Sequence, residues 1–316
     1  MAADRLVLGI AGPVDNRLSG AYYPPQVVAT DPRAPRHRNQ DMSRPFFIVS
    51  SGRSGTAMLT KALAQSPDVT VEHEYMVNHI QPLGVRRYQG LATAEEARAM
   101  LAMTYGAALH YAQTPLWGDS SNKLSWLIPD LIALFPDALF IHLVRDGRKV
   151  ASSYFHKLGA ESYDDRSSAI FADYLRAPRS VRMPPPEKKY WWPHPLPHSP
   201  WREEFGKFDQ FERIAWHWAE INTVMLRDLK QVPADQQIFL RLEDLRSSPG
   251  SVERLFDFLG LPWDASLFSV FQRPHNVNRP VDMPLTQDQS ARFFRIAGAM
   301  MERLDYASQE EYAVRY

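Results

Sequence analysis

Residues 45–56 read PFFIVSSGRSGT, a short apolar run followed by a loop of serine and glycine. An apolar run of this length, bounded by Pro45 and by turn-forming residues, predicts a strand buried on both faces. Apolar residues then recur at helical spacing up to Pro67, and Val69-Thr70-Val71 predicts a second strand. Because strand, glycine-containing loop, helix and strand make a βαβ unit, we expect a parallel sheet.

Further elements extend this unit along the chain. Periodicity and turn signals predict helices at 94–112, 124–135, 211–229 and 249–259, the last with Ser248 as N-cap. They also predict a final helix after the capping box of Thr286 and Gln289, and strands at 138–144 and 238–240. Three or four buried strands that alternate with helices indicate an α/β protein. We expect a three-layer α/β/α arrangement around a mostly parallel central sheet.

The chain divides into an irregular extension and one domain. Residues 1–44 show no sustained period, whereas 45–316 carry the predicted elements. Within this single domain we expect a Pro/Trp-rich insert at about 158–207 and a C-terminal cap at about 263–316. Residues 178–200 hold eight of the 25 prolines, which excludes a regular helix or central strand there.

Composition limits the classes of function. Of 316 residues, 36 are Lys or Arg and 36 are Asp or Glu, which gives a formal net charge of zero. A general nucleic-acid or membrane-surface binder relies on a summed basic field, so we expect neither partner. Without cysteine, disulfides and thiolate sites are excluded. We find no signal peptide and no stretch approaching 18 apolar residues, and we therefore expect a cytoplasmic protein. The oligomeric state stays open.

The loop after the first strand has the composition of an anion site. Successive backbone amides and the positive end of the following helix favour an anion at such a junction. Gly52 and Gly55 allow close backbone approach, while Arg53, Ser54 and Thr56 add side-chain donors. The alternative is a tight strand-to-helix turn. The loop is not a Walker A motif, because no Lys-Ser/Thr follows the second glycine.

A second loop at a strand end carries a similar signal. Arg145-Asp146-Gly147-Arg148 follows the 138–144 strand, and Ser152 and Ser153 come two turns later. A guanidinium beside helix N-terminal amides suits a phosphate group. The alternative is a structural ion pair between Arg145 and Asp146.

With both loops in view, the chain resembles the PAPS-dependent sulfotransferase family, whose donor is 3′-phosphoadenosine 5′-phosphosulfate (PAPS). Its motifs are most similar to those of the bacterial and tyrosylprotein members with a PRSGT-type loop. The resemblance implies the P-loop-like fold of that family. The segments that resemble the family, in family order, are 52–57 (GRSGTA), 117–123 (WGDSSNK), 145–153 (RDGRKVASS), 241–245 (RLEDL) and 258–262 (FLGLP).

The resemblance implies roles for individual residues. Arg53 and the amides of Ser54, Gly55, Thr56 and Ala57 would bind the 5′-phosphosulfate, Arg145 and Ser153 the 3′-phosphate, and Arg279 a basic loop over PAPS. Glu74 would be the general base, with His73 and Glu72 in reserve, and Lys123 would join Arg53 in stabilising the leaving phosphate. The family pattern is broken at Ala57, at Leu242 and by the residues inserted before Lys123.

The implied function is transfer of the sulfonate from PAPS to a hydroxyl, less readily an amine, of a small-molecule acceptor, with PAP (3′-phosphoadenosine 5′-phosphate) as product. A kinase-class enzyme and a non-catalytic nucleotide-binding module are the alternatives. His194 and His198 lack a third ligand, so no metal site is expected. Trp191 and Trp192 belong either to a lid or to a loop anchored on the core. Lys188 and Lys189 are expected to be solvated.

Overall fold

A parallel sheet lies at the centre of the structure, a computed structural model that describes residues 42–272 and 281–314. Within those ranges it has five strands: β1 (Arg44–Ser50), β2 (Val69–His73), β3 (Leu116–Ser120), β4 (Leu139–Val144) and β5 (Gln237–Arg241). The order is β2-β3-β1-β4-β5, and every neighbouring pair is parallel. The predicted α/β fold with a mostly parallel sheet is confirmed.

Helices connect the strands and cover the sheet. They are α1 (Thr56–Leu63), α2 (Val77–Tyr88), α3 (Ala94–Tyr111), α4 (Ile128–Leu134), α5 (Gly147–Lys157), α6 (Asp165–Arg176), α7 (Gln210–Asp228), α8 (Leu242–Ser247), α9 (Pro249–Leu259), α10 (Phe268–Gln272) and α11 (Gln287–Arg303). Short 3₁₀ turns intervene, among them Leu124–Trp126 and Lys188–Tyr190.

Side chains on the central strand alternate between two cores, as the period of two in a strand requires. Phe47 and Val49 pack with α2, α3, α4 and α7 on one face of the sheet. Phe46 and Ile48 pack with α1, α8, α9 and α10 on the other. All four side chains are fully buried. The three predicted layers are therefore present, and β1 is buried on both faces as its apolar run predicts.

Strand register brings the carboxyl ends of the strands to one edge. His73 at the end of β2 is level with Ser120 at the end of β3, and Val144 is level with Arg241. The loops that leave these strands therefore start side by side, where ligands bind in open parallel sheets.

Some local predictions were wrong. β3 was not predicted as a strand, because Gly118 and Asp119 are depleted in strands; here the ring of Phe46 fills the space beside Gly118, where a Cβ would lie 2.2 Å from it. The predicted helix at 124–135 is a 3₁₀ turn followed by α4, because Pro129 occupies the first turn of α4. Helices α2 and α6 were not foreseen. Ser248 makes no side-chain cap, whereas the capping box of Thr286 is confirmed.

The domain boundaries are only partly visible. Residues 42–272 and 281–314 all fall in one compact unit, and β1 begins at Arg44. Residues 1–41 of the predicted extension lie outside the described residues, as does Arg279. The insert contains α6, and residues 178–200 are irregular apart from the Lys188–Tyr190 turn. In the described part of the chain, no helix is long and apolar enough to cross a membrane.

Candidate functional site

A cleft of about 350 Å³ opens at the carboxyl edge of the sheet. Loops after β1, β2, β3 and β4, the insert and the C-terminal residues all contribute to it. Its charged and hydroxyl-bearing lining residues are Arg53, Thr56, His73, Glu74, Lys123, Arg145, Lys149, Ser152, Ser153, Tyr154, Lys157, Glu161, Ser162, Lys188, Arg246 and Asp282. Most residues that the sequence predicted for the site are therefore brought together here.

The loop between β1 and α1 has the backbone of an anion cradle. Gly52, Arg53 and Gly55 all lie in the left-handed region, with φ of 77°, 55° and 90°. Gly55 is the N-cap of α1 and, having no side chain, supplies no side-chain cap to the first amides of the helix. Those amides and the helix dipole favour an anion. A Cβ at Gly55 would lie 2.5 Å from Leu242, so the helix start is also closely packed.

Ser54 does not contribute its hydroxyl to the cleft. The side chain is fully buried, and its Oγ contacts Ser51 Oγ at 3.1 Å and donates to the Gly52 carbonyl at 3.1 Å. The predicted side-chain donor at Ser54 is therefore wrong, because the hydroxyl stabilises the loop from within. Gly55, Thr56 and Ala57 line the cleft as predicted.

The two predicted anion loops contact each other directly. Arg53 donates from Nε to Ser153 Oγ at 2.9 Å, and Arg145 donates from Nη1 to the carbonyl of Arg53 at 2.9 Å. Asp146 forms its ion pair with Arg148, at 2.7 Å, and caps α5. The alternative of a structural Arg145–Asp146 pair was thus wrong, and Arg145 points its guanidinium toward the cleft side of the loop.

Glu74 and Lys123 meet between the ends of β2 and β3. Glu74 is left-handed, with φ of 56°, and its amide donates to the Ser120 carbonyl at 3.1 Å. Lys123 is buried, and its Nζ lies 3.8 Å from Glu74 Oε1 and 5.2 Å from the ring centre of Trp192. Burial lowers the pKa of Lys123 to about 8, although Glu74 opposes the shift.

A second lysine reaches Glu74 from the insert. Lys188 Nζ donates to Glu74 Oε2, while Lys189 is exposed beside the ring of Tyr190. The prediction that both lysines are solvated was therefore wrong for Lys188. Burial acts to raise the pKa of Glu74, but Lys123 and Lys188 outweigh it and hold that pKa at about 2.

The reserve candidates for the base differ in position. His73 lines the cleft, and its Nδ1 lies 3.0 Å from the Ser120 carbonyl. Glu72 is exposed and does not line the cleft. The geometry therefore places Glu74 and His73, but not Glu72, at the site.

Asp119 supports the turn that carries Glu74. It is fully buried, accepts from Tyr105 Oη at 2.7 Å and accepts from the amide of Tyr75 at 3.2 Å. Burial raises the pKa of Asp119 to about 7. Since Tyr75 follows Glu74, this bond fixes the turn that presents the Glu74 side chain. Sequence reasoning missed this role, although Asp119 lies in the 117–123 segment that resembles the family.

C-terminal residues close the other end of the cleft. Arg145 donates from Nε to Tyr312 Oη at 2.9 Å. Lys149, on the first turn of α5, is buried and pairs with Asp282 at 3.2 Å and with Glu311 at 2.9 Å. Sequence reasoning did not single out Lys149, Tyr312 or these two carboxylates as part of the site.

The tryptophans of the insert are anchored. Trp191 and Trp192 are buried, and their indole N–H groups donate to the carbonyls of Pro185 at 2.6 Å and Glu161 at 2.8 Å. Trp192 also lines the cleft. His194 is buried against aromatic rings, and the described residues contain no cluster of His, Asp and Glu able to hold a metal ion.

Residues 45–180, which include both anion loops, Glu74 and Lys123, match the sequence profile described as the sulfotransferase family. Over this stretch the chain is similar to the sulfotransferase family. No curated protein matches it.

The chain is also similar to solved structures of sulfotransferases. A sulfotransferase from Alicyclobacillus acidocaldarius is 16% identical, with a TM-score of 0.48, over 85% of this chain and 98% of that one. The sulfotransferase domain from the curacin biosynthetic pathway is 17% identical, with a TM-score of 0.44, over 84% and 98%. Sulfotransferase STF9 from Mycobacterium avium is 14% identical, with a TM-score of 0.46, over 83% and 77%. Because these scores are below 0.5, the similarity to sulfotransferases rests on the sequence match over residues 45–180.

Proposed function

We propose that this protein transfers the sulfonate group of PAPS to a hydroxyl group of a small-molecule acceptor. The observation that carries the proposal is one cleft in which two cationic loops, joined by the Arg53–Ser153 hydrogen bond, lie beside the Glu74–Lys123 pair. The cations suit a donor with phosphate groups at two positions, and the carboxylate suits an acceptor that must lose a proton.

The residues present fit the donor. The amides of residues 54–57 and Arg53 would hold the 5′-phosphosulfate, since α1 has no side-chain cap. Arg145 and Ser153 would hold the 3′-phosphate, and both line the cleft. Lys149 adds a further cation on the same side, which the sequence had not suggested. We extend the donor site to Arg279 only as a prediction, because it lies outside the described residues.

The acceptor end supplies proton transfer and charge. In our proposal the acceptor oxygen forms a bond to sulfur, the bond from sulfur to the phosphate oxygen breaks, and Glu74 Oε takes the hydroxyl proton. Lys123 and Arg53 stabilise the negative charge that develops on the leaving phosphate. As in phosphoryl transfer, positioning and electrostatic stabilisation account for most of the catalysis.

The insert forms the acceptor side in this proposal. Leu158, Glu161, Lys188 and Trp192 all line the cleft. We propose that residues 178–205 cover the bound acceptor, with Trp191 and Trp192 as the anchors of that cover.

The absence of cysteine agrees with our expectation of a cytoplasmic enzyme.

Two alternatives have less support. A kinase-class enzyme lacks the Lys-Ser/Thr that should follow Gly55, since Thr56-Ala57 stands there. A non-catalytic nucleotide-binding module does not require Glu74 in the cleft.

Thermal shift with PAP, with ATP and magnesium, and with AMP separates the candidates. Stabilisation by PAP well above that by AMP supports the proposal. Magnesium-dependent stabilisation by ATP alone contradicts it and favours the kinase. PAP-selective stabilisation without sulfonate transfer from labelled PAPS to any phenol or alcohol in an acceptor screen favours the binding module.

A further inference from the structure

Two lysines share the carboxylate of Glu74. Lys123 faces Oε1 at 3.8 Å, and Lys188 donates to Oε2. Only Lys123 belongs to the loop after β3, whereas Lys188 comes from the insert, 114 residues further along the chain than Glu74. The charge on Glu74 is therefore neutralised from both sides.

The backbone that carries Lys188 is fixed. Gln81 on α2 donates from Nε2 to the carbonyl of Lys188 at 3.1 Å and to that of Trp191 at 2.7 Å. Trp191 is 1% exposed and packs on Phe171 and Tyr174 of α6. Gln81 and the packing of Trp191 on α6 thus hold the backbone of this turn in place, and Lys188 lines the cleft.

The two lysines differ in their freedom to leave Glu74. The Lys123 side chain is 6% exposed and lies against the ring of Trp192. The Lys188 side chain is 36% exposed and lines the open cleft. A solvent-accessible lysine on a long flexible stem changes partners readily. Lys188 is therefore the cation that can leave Glu74 and bind another anion in the cleft.

Glu74 is a weak base while both lysines are in place. Its carboxyl pKa of about 2 reflects Lys123 and Lys188 acting against burial, with His73 a smaller contribution of the same sign. After burial, the charge of Glu74 also acts to raise the pKa of Asp119 and that of Tyr154. Proton transfer is most efficient when the pKa of the base lies near the working pH. Loss of one cation raises the pKa of Glu74 and makes it a better base.

We infer, on the basis of the proposed function, that the acceptor carries an anionic group beside its hydroxyl, and that this group binds Lys188 and releases Glu74. The acceptor then supplies both the hydroxyl that attacks and the anion that activates its base. Neutral acceptors leave Lys188 on Glu74, so they bind less tightly and react more slowly. Lys188 thereby selects the class of acceptor.

The first experiment measures binding to the complex with PAP by titration calorimetry. The probes are 4-hydroxyphenylacetate and its neutral match, 4-hydroxyphenylacetamide. We expect the wild type to prefer the carboxylate by roughly 10- to 150-fold, as for one charge-assisted hydrogen bond. We expect Lys188→Met to lose this preference and Lys189→Met, the exposed neighbour, to keep it.

The second experiment follows the carbon-13 carboxyl resonance of Glu74, assigned by its absence in Glu74→Gln. We expect its pKa to rise in Lys188→Met and, in the wild type with PAP, on addition of 4-hydroxyphenylacetate. A rise with PAPS alone would show that the donor sulfonate takes Lys188, and the inference would then be wrong. A pKa that does not move in Lys188→Met also overturns it.

The outcomes separate this inference from the proposed function. If the wild type binds PAP but binds both probes equally, or binds neither, the inferred acceptor class is wrong. That outcome does not affect the proposed function. A preference that survives in Lys188→Met refutes the role of Lys188 only. Wild type that fails to bind PAP refutes the proposed function itself.

Discussion

Arg53 and Ser153, 100 residues apart in the chain, are joined by a hydrogen bond of 2.9 Å from guanidinium to hydroxyl. Arg145 extends this link, because it donates to the carbonyl of Arg53 at 2.9 Å. The two strand-end loops therefore form one continuous cationic surface along the cleft. A ligand with anionic groups at both ends is the kind of molecule that such a surface binds.

Arg145→Ala should weaken PAP binding by roughly 10- to 150-fold, because a charge-assisted contact to the 3′-phosphate is lost. The affinity for AMP, which lacks that phosphate, should change little. Calorimetry with both nucleotides gives the comparison. If AMP weakens by the same factor, Arg145 acts by supporting the carbonyl of Arg53 and does not read the 3′-phosphate.

Glu74→Gln should reduce transfer from PAPS by about 10²- to 10⁴-fold, because the amide keeps the size of the side chain but accepts no proton. PAP affinity should stay near that of the wild type. Glu72→Gln is the matched control, since Glu72 is exposed nearby and should react normally. Near-normal turnover in Glu74→Gln would move the base to His73.

The transfer rate should fall as the pH rises above about 8. Burial lowers the pKa of Lys123 to about 8, so that rising pH removes the charge that stabilises the leaving phosphate. A profile of kcat against pH tests this, and Lys123→Arg should shift the decline to higher pH because a guanidinium stays charged. A wild-type rate that stays constant up to about pH 10 would contradict the role of Lys123.

Glu311→Gln should strengthen PAP binding about two- to tenfold. The Glu311 carboxylate lies 2.9 Å from Lys149 and neutralises a cation that lines the cleft. Glu310→Gln, at an exposed neighbouring position, should leave the affinity unchanged. Weaker binding in Glu311→Gln would show instead that the pair positions Lys149 for the donor.

Hydrogen exchange in residues 178–205 should slow when PAP and an acceptor bind together. A proline-dense segment of this length within a compact domain is unusual, and such segments are usually either functional or disordered. The tryptophans and their indole hydrogen bonds already hold it at two points. Identical protection in the free and the bound protein would show a fixed structural segment and no cover.

The sequence predicted what local patterns determine. Short apolar or β-branched runs identified β1, β2, β4 and β5, and residue type at the strand ends identified Arg53 and Arg145. Strand β3 was not predicted, because Gly118 and Asp119 depend on partners from other elements. These partners are the ring of Phe46 and the hydroxyl of Tyr105.

Contacts over long sequence separations account for the other omissions. Lys188 meets Glu74 across 114 residues, and Tyr312 meets Arg145 across 167. No local pattern marks either pair, because each depends on how the insert and the C-terminal residues fold back over the sheet. The charged residues of the cleft were thus predictable, but the partners that set the pKa of Glu74 and neutralise Lys149 were not.

The bond from Arg145 to Tyr312 also bears on how the protein is made. All five strands of the described sheet have been synthesised once residue 241 leaves the ribosome, whereas Tyr312 and Glu311 follow roughly 70 residues later. At about 5–20 residues per second, that interval lasts on the order of 4 to 14 s. During translation the nascent chain therefore has a sheet able to form while Arg145 and Lys149 still lack their C-terminal partners.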